Sequence, residues 1–139
     1  MANINIETGR ERITINSDPD KVIELNLSDG SIITRLEKAK AEIDEFFGKI
    51  KDIADKEDKE SAELISDTEK KIREKIDYIF DYPVSDVIFG NASCISTKNG
   101  VTFFERAINA LMPLYEKAIK TEQKKSLERT EKYTKKYKK

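Results

Sequence analysis

The hydrophobic residues at the start of the chain alternate with polar ones. Isoleucine occupies every second position in two short runs, 3–6 and 12–16, and a third alternating run covers 21–27. A period of two built from β-branched residues is typical of strands that bury one face. The segment 17–20, Ser-Asp-Pro-Asp, has turn chemistry, because proline fixes φ and aspartate side chains bond the nearby backbone. We therefore expect an N-terminal β-hairpin or a meander.

The hydrophobic period changes to three or four residues after position 30. Between 31 and 54 the apolar residues recur at helical spacing with charged residues between them, which predicts a long amphipathic helix. A second amphipathic run follows Ser61, and the wholly charged segment 55–60 joins the two. Since neither helix can bury its apolar stripe alone, an αα-hairpin is the economical arrangement. One continuous helix in a coiled coil is the alternative.

The segment 76–89 is the most hydrophobic part of the chain, because ten of its fourteen residues are apolar or aromatic. Pro83 is expected to end the second helix, since the residue before proline avoids the α region. Residues 85–90 predict a short helical turn closed by glycine. A loop over 91–100 then leads into a final helix, in which Pro113 should produce a kink.

These elements predict an α+β, mainly helical fold in a single domain over residues 1–120. Its parts are an N-terminal β-hairpin or meander, a long αα-hairpin, a hydrophobic turn segment and a kinked C-terminal helix. Beyond 120 the apolar periodicity fades, so 121–139 are expected to form a basic arm that is partly helical or disordered. A chain of 139 residues can bury a stable core without a disulfide or a metal.

The net charge of -1 conceals a strong asymmetry along the chain. Residues 1–89 carry 14 basic and 22 acidic side chains, whereas 90–139 carry 12 and 5. Such a basic end can contact an acidic partner, nucleic acid or the body of the protein, or can simply be a solvated helix end. Repulsion by the acidic body makes nucleic acid the weaker choice. The cations assigned to the arm are Lys124, Lys125, Arg129, Lys132, Lys135 and Lys136.

The composition argues against catalysis. The chain has no histidine and one cysteine, so it lacks the commonest general base, the usual zinc ligands and any internal disulfide. Its glycines are too scattered for a phosphate-binding loop, and the charged linker lacks the EF-hand spacing. We therefore expect no enzyme, no metal and no cofactor. The polar N-terminus and the lack of an 18-residue apolar stretch predict a cytoplasmic protein without a membrane partner.

Two interpretations remain open for the segment 76–89. It can supply the core junction between the helices and the strands, or part of it can remain exposed as a partner-binding surface. The candidate partner-binding residues are aromatic or aliphatic and include the start of the last helix: Phe80, Tyr82, Val84, Val87, Ile88, Phe89, Phe103 and Phe104.

Several short motifs in sequence order resemble those of a known family. They are Leu25–Asp29 leading into Ile33–Ala39, then Ile76–Phe80, Val87–Gly90 and Phe103–Pro113. This order is similar to that of small tail assembly chaperone-like proteins of long-tailed phages (siphophages) that infect low-GC Gram-positive bacteria. The similarity covers about residues 22–120.

The resemblance implies a non-enzymatic protein that shields hydrophobic helices of the tape-measure protein, and of the tail-tube protein, during assembly in the host cytoplasm. On this resemblance the family's Ile-Phe-Gly signature falls on Ile88, Phe89 and Gly90. Two alternatives stay open: a nucleic-acid-associated helical protein that uses the basic arm, and another phage protein that contacts a host factor. A homo-oligomer is also compatible with the two long helices.

Overall fold

The structure is a computed structural model, described over residues 1–54 and 59–137, and it is α+β and mainly helical. The linker expected at 55–60 falls partly outside the described residues. Within them the chain forms β1 (Glu11–Ile15), β2 (Asp18–Leu25), α1 (Ser31–Ala54), α2 (Lys59–Phe80), α3 (Val84–Phe89), β3 (Thr97–Lys98), β4 (Val101–Thr102) and α4 (Phe103–Tyr137).

β1 and β2 form an antiparallel hairpin, and of the two N-terminal alternatives the meander is wrong. Residues 1–10 form neither helix nor strand. The turn lies at Asn16 and Ser17, whose φ angles of 53° and 59° are those of the type I′ turn that matches strand twist. It therefore precedes most of the segment 17–20 that was expected to make it. Asp18 does bond the nearby backbone, accepting from the Asp20 amide at 2.9 Å, but this contact lies in the irregular start of β2.

α1 begins and ends at the predicted residues. The Asp29 side chain accepts a hydrogen bond from the Ser31 amide at 3.0 Å, which satisfies a free donor at the helix start. That bond, with the neighbouring Arg35 guanidinium, lowers the pKa of Asp29. α1 packs against α2, so the αα-hairpin is confirmed over the coiled coil.

α2 ends at Phe80, earlier than Pro83 requires. The Asp81 amide donates to the Tyr78 carbonyl and the Tyr82 amide donates to the Asp77 carbonyl, each at 3.3 Å. These two bonds, with Asp81 at a φ of 50°, form a Schellman motif that closes the helix. The short helix expected over 85–90 is confirmed as α3.

The loop expected over 91–100 contains a structural element that the sequence analysis missed. β3 and β4 pair as a small hairpin whose turn is Asn99-Gly100, with φ angles of 56° and 79°. The start of α4 is therefore Phe103, later than the expected 99–100. Thr102 accepts from the Glu105 amide at 3.4 Å and so caps the helix.

α4 continues through residue 137 and crosses the domain boundary predicted at 120. Pro113 lies inside it and removes one backbone donor without ending the helix. The kink expected there stays a prediction. Within the described ranges, no helix is both long and apolar enough to cross a membrane.

The core is contiguous and collects side chains from β2 and all four helices. Its fully or almost fully buried members include Ile23, Leu25, Ile32, Ala39, Ile72, Ile76, Ile79, Val84, Phe104 and Tyr115. The hairpin therefore covers one side of the helical layer, and its tip lies beside α3 and α4.

Candidate partner-binding groove

The eight candidate partner-binding residues separate into a buried group and a partly exposed group. Tyr82, Val87 and Phe103 remain partly exposed. The other five are at most 9% exposed, which makes them core side chains in this conformation: Phe80, Val84, Ile88, Phe89 and Phe104. Four of the five lie in the segment 76–89, and for these the structure supports the core interpretation, because a partner could contact most of them only if the core opened.

An open apolar groove of about 230 Å³ lies where three elements meet. Its lining comes from the tip of the β1–β2 hairpin, from α3 and from the first turns of α4. The residues that line it are Ile15, Asn16, Ile88, Phe103, Arg106, Ala107, Ala110 and Leu111. Only Ile88 and Phe103 among these were candidates from the sequence.

α3 is positioned by two side chains that lie one turn apart on α2. The Asp77 carboxylate accepts from the Ser85 amide at 2.8 Å and from the Ser85 hydroxyl at 2.9 Å. The Arg73 guanidinium donates to the Gly90 and Ala92 carbonyls at 2.9 and 2.8 Å. Each charge opposes the partial charge at its end of α3, so α2 sets both the place and the direction of this short helix.

Phe103 is held between the core and the groove. Its ring packs edge-on against buried Phe89, with centroids 4.8 Å apart and an interplanar angle of 80°. The Arg106 guanidinium lies over the Phe103 ring at 5.0 Å from its centroid. These contacts order the side chains that line the groove before any ligand arrives.

Among the described residues that line the groove, only Arg106 has a buried side-chain polar atom that lacks a hydrogen-bond partner. Its Nε atom is buried and has no acceptor among the described residues. Arg106 also forms no ion pair with any described carboxylate, although ion pairs form at Arg12, Arg35, Arg73, Lys75 and Lys125. A buried donor left without a partner costs about 1–3 kcal/mol. The groove therefore combines an apolar lining with an unused cationic donor.

A second, smaller cavity of about 70 Å³ lies where residues flanking the hairpin meet the start of α1, the end of α2 and Tyr115 of α4. It is lined by two arginines, two aspartates and a tyrosine: Arg10, Arg35, Asp29, Asp81 and Tyr115, with Asn26 and Phe80. Arg35 already donates to the Ile79 carbonyl at 2.7 Å and pairs with Asp29 at 3.9 Å. Its charges balance, and Arg35 ties α1 to the end of α2, so we assign this cluster a structural role.

Cys94 lacks the exposure and the lowered pKa of a nucleophilic thiol. It is fully buried, and burial, with the nearby Glu69 carboxylate, raises the pKa of its thiol to about 11. The reactive thiolate is therefore scarce at neutral pH. Within the ranges that the structure describes, no three or more carboxylate or thiol groups are arranged to hold a metal ion.

From residue 121 to 137 the basic arm is a helical continuation of α4. Every side chain described between residues 121 and 132 is exposed, including Lys124, Lys125, Arg129 and Lys132. At about 100° per residue, these four cations fall within roughly 140° of the helix circumference, with Glu128 among them. The side chains of Lys135 and Lys136, also assigned to the arm, lie outside those described.

The groove residues missed from the sequence are mainly those of α4 and the hairpin tip. One local signal existed, because Arg106 stands three residues after Phe103 and four before Ala110, and residues at these spacings share a helical face. An arginine on an apolar face is unusual unless it is paired. That the hairpin tip lies beside this face depends on long-range packing and had no local signal.

Comparisons with protein-family models, with curated proteins and with solved structures found no match for this chain. Function is therefore inferred from the groove and from the exposed face of α4.

Proposed function

We propose that this protein is a non-enzymatic assembly chaperone that holds an apolar helical segment of a client protein in the groove between the hairpin tip, α3 and α4. The observation that carries the proposal is the open apolar groove whose lining is fixed by the core. The client class, tape-measure or tail-tube proteins of a phage in the host cytoplasm, comes from the family resemblance of the sequence.

The ordering of the groove supports binding of a ready-made helix. Ile88 and Leu111 belong to the buried core, and Phe103 is fixed against Phe89. Side chains that are already ordered lose little entropy when a partner binds, so a larger part of the contact energy appears as affinity.

The size of the groove supports a transient complex. A groove of about 230 Å³ covers a few side chains of a helix. Small interfaces belong to weak, reversible contacts. A chaperone that must release its client to an assembling structure needs this kind of affinity.

The proposal is tested by filling the groove from its solvent side. Ala110 is an exposed residue of α4 that lines the groove, so Ala110→Trp places a bulky ring there without altering the core. We expect this variant to lose at least tenfold in affinity for purified tape-measure or tail-tube protein encoded beside its gene, measured by titration calorimetry.

Ala41→Trp is the matched control, because Ala41 is an exposed alanine on α1 outside the groove. It should bind the client like the unmodified chain. Equal client binding by Ala110→Trp would contradict the proposal. So would the discovery that the gene lies away from genes for tail-tube and tape-measure proteins.

The exposed cations of α4 favour a second candidate function, a nucleic-acid-associated protein. Lys124, Lys125, Arg129 and Lys132 lie on one side of a helix whose described side chains are solvated there. Phosphate contacts of this kind give affinities that fall steeply with salt. The electrophoretic mobility of DNA and RNA across a salt series tests this candidate, and the absence of a shift at low salt would reject it.

A further inference from the structure

We propose that Arg106 makes the groove selective for a client segment that carries a carboxylate, an Asp or Glu, beside its apolar side chains. This inference rests on the proposed function, because it concerns the same groove, and it names the chemistry of the segment that fits there. It comes from the buried Nε–H of Arg106, which lacks an acceptor among the described residues.

In the free protein the guanidinium of Arg106 is incompletely hydrogen-bonded. Its Nε atom is buried and lacks an acceptor, and no described carboxylate pairs with the group. The cost of removing this N–H from water has thus already been met in the unbound fold. A client acceptor that reaches this N–H gains a hydrogen bond to a donor that has already lost its water, while the rest of the partly exposed guanidinium exchanges water for the client.

The acceptor that suits a guanidinium best is a carboxylate. Hydrogen bonds between a guanidinium and a carboxylate are about twice as strong as those between neutral groups, and they are often bidentate. The Phe103 ring, 5.0 Å from the guanidinium, restricts its orientation. A planar donor in a set orientation favours a planar carboxylate.

The charge of the groove also favours an acidic client segment. Of the described residues that line it, none is acidic and only Arg106 is charged. A wholly apolar segment would leave the cation unpaired, and a basic segment would be repelled. A segment with one carboxylate next to apolar side chains matches both parts of the surface.

The test uses two synthetic 18-residue helical peptides of alanine, leucine and glutamine. They differ at one position, Glu or Gln, four residues from a leucine. Binding to the full chain is measured by fluorescence anisotropy. We expect the Glu peptide to bind the unmodified chain at least tenfold more tightly than the Gln peptide.

Arg106→Gln should remove this preference by weakening the Glu peptide alone, and Arg106→Lys should retain only part of it. Arg129→Gln is the matched control, since it removes an exposed arginine of the same helix outside the groove, and it should keep the full preference. Circular dichroism checks folding. If Arg106→Gln fails to fold, Arg106→Lys carries the test, because it keeps the charge and loses the planar donor.

The outcomes separate this inference from the proposed function. If both peptides bind equally and Ala110→Trp abolishes their binding, the carboxylate preference is overturned and the groove remains a docking site. Binding of neither peptide would overturn both. Binding of dodecanoate in place of the peptides would overturn the inference in favour of a small amphiphile. A dimer that Ala110→Trp converts to a monomer would assign the groove to a second copy of the chain.

Discussion

At the scale of single residues, burial controls the ionisation of two core groups, Tyr115 and Cys94, more than neighbouring charges do. Tyr115 is 1% exposed, and burial raises the pKa of its hydroxyl to about 12 despite the nearby Arg35. Cys94 is fully buried and its thiol pKa is raised to about 11. Both groups are neutral in the fold at physiological pH, which fits their place in the core.

The raised pKa of Tyr115 predicts a loss of stability in alkali. The unfolded tyrosine ionises from about pH 10 and the folded one from about pH 12, so between these values only the unfolded state releases the proton. The free energy of unfolding should therefore fall as pH rises from 10 to 12, by roughly 1 kcal/mol per pH unit from this group. Cys94 adds a similar fall between about pH 9 and 11.

Urea unfolding of Tyr115→Phe at several pH values measures the tyrosine's share of this fall. The variant should show a shallower decline above pH 10 than the unmodified chain. Tyr78→Phe is the control, because Tyr78 is 44% exposed, and its decline should match the unmodified chain. Identical slopes for all three proteins would show that the burial of Tyr115 does not govern its titration.

At the scale of elements, α3 is a dependent helix. With six residues it is too short to be stable alone. Asp77 and Arg73 of α2 bond its two ends, and Gly90 closes it with φ 55° and ψ -125°. This pair of angles is favourable for glycine and strained for other residues. The part of the groove lining that α3 contributes therefore depends on contacts from α2 and on one glycine.

Two alanine substitutions should change stability in opposite directions. Gly90→Ala introduces a strained backbone and should lower the free energy of unfolding by about 1–3 kcal/mol. Gly48→Ala lies inside α1, where an added Cβ meets nothing within 4 Å, and should raise it by up to about 1 kcal/mol. Urea denaturation followed by circular dichroism measures both, and an unchanged or raised stability in Gly90→Ala would contradict this role of Gly90.

The bounds of the long helices illustrate which signals are local. α1 follows its prediction from 31 to 54, because the apolar repeat and the Asp29 cap both lie within a few residues. The end of α4 was not predicted correctly, because the helix continues to residue 137 although its apolar periodicity fades after 120. Lysine, glutamate and glutamine have good helix propensity and suit a solvated helix. The Asn99-Gly100 hairpin had a local signal that was overlooked.

At the scale of the whole molecule, charge and packing are segregated. The core gathers the hairpin and all four helices, whereas every described side chain from 121 to 132 is exposed. The two parts of the sequence differ in the sign of their net charge. Residues 1–89 carry 22 acidic and 14 basic side chains, whereas 90–139 carry 5 and 12. The body and the end of α4 can therefore serve separate functions.

Neutralising the exposed cations should leave the fold intact. The change is Lys124, Lys125, Arg129 and Lys132 to glutamine. Surface substitutions of this kind alter stability little, so the free energy of unfolding should change by less than about 1 kcal/mol. If nucleic acid is the partner of this face, the same variant should lose the salt-sensitive shift of DNA or RNA.

A variant with four other exposed lysines changed to glutamine, Lys38, Lys40, Lys70 and Lys71, is matched in charge and should keep that shift. Equal loss in both variants would point to net charge alone. Unfolding of the first variant would show that the end of α4 contributes to the core.

The sequence by itself determined the elements whose causes are local: the alternating strands, the two long amphipathic helices, the short helix closed by Gly90, and the absence of histidine chemistry. The packing of α1 against α2 as an αα-hairpin was decided by the tertiary structure. Only the tertiary structure decided which apolar residues are core. Phe80, Phe89 and Phe104 have the same character in sequence as partly exposed Phe103, and they differ because they are buried in the assembled core. Tyr115 of α4 packs against Phe80, and Phe47 of α1 packs against Phe104. The groove and its unpaired Arg106 arise from that packing, because residues 15, 88 and 106 are far apart in sequence and come together only when the helices assemble.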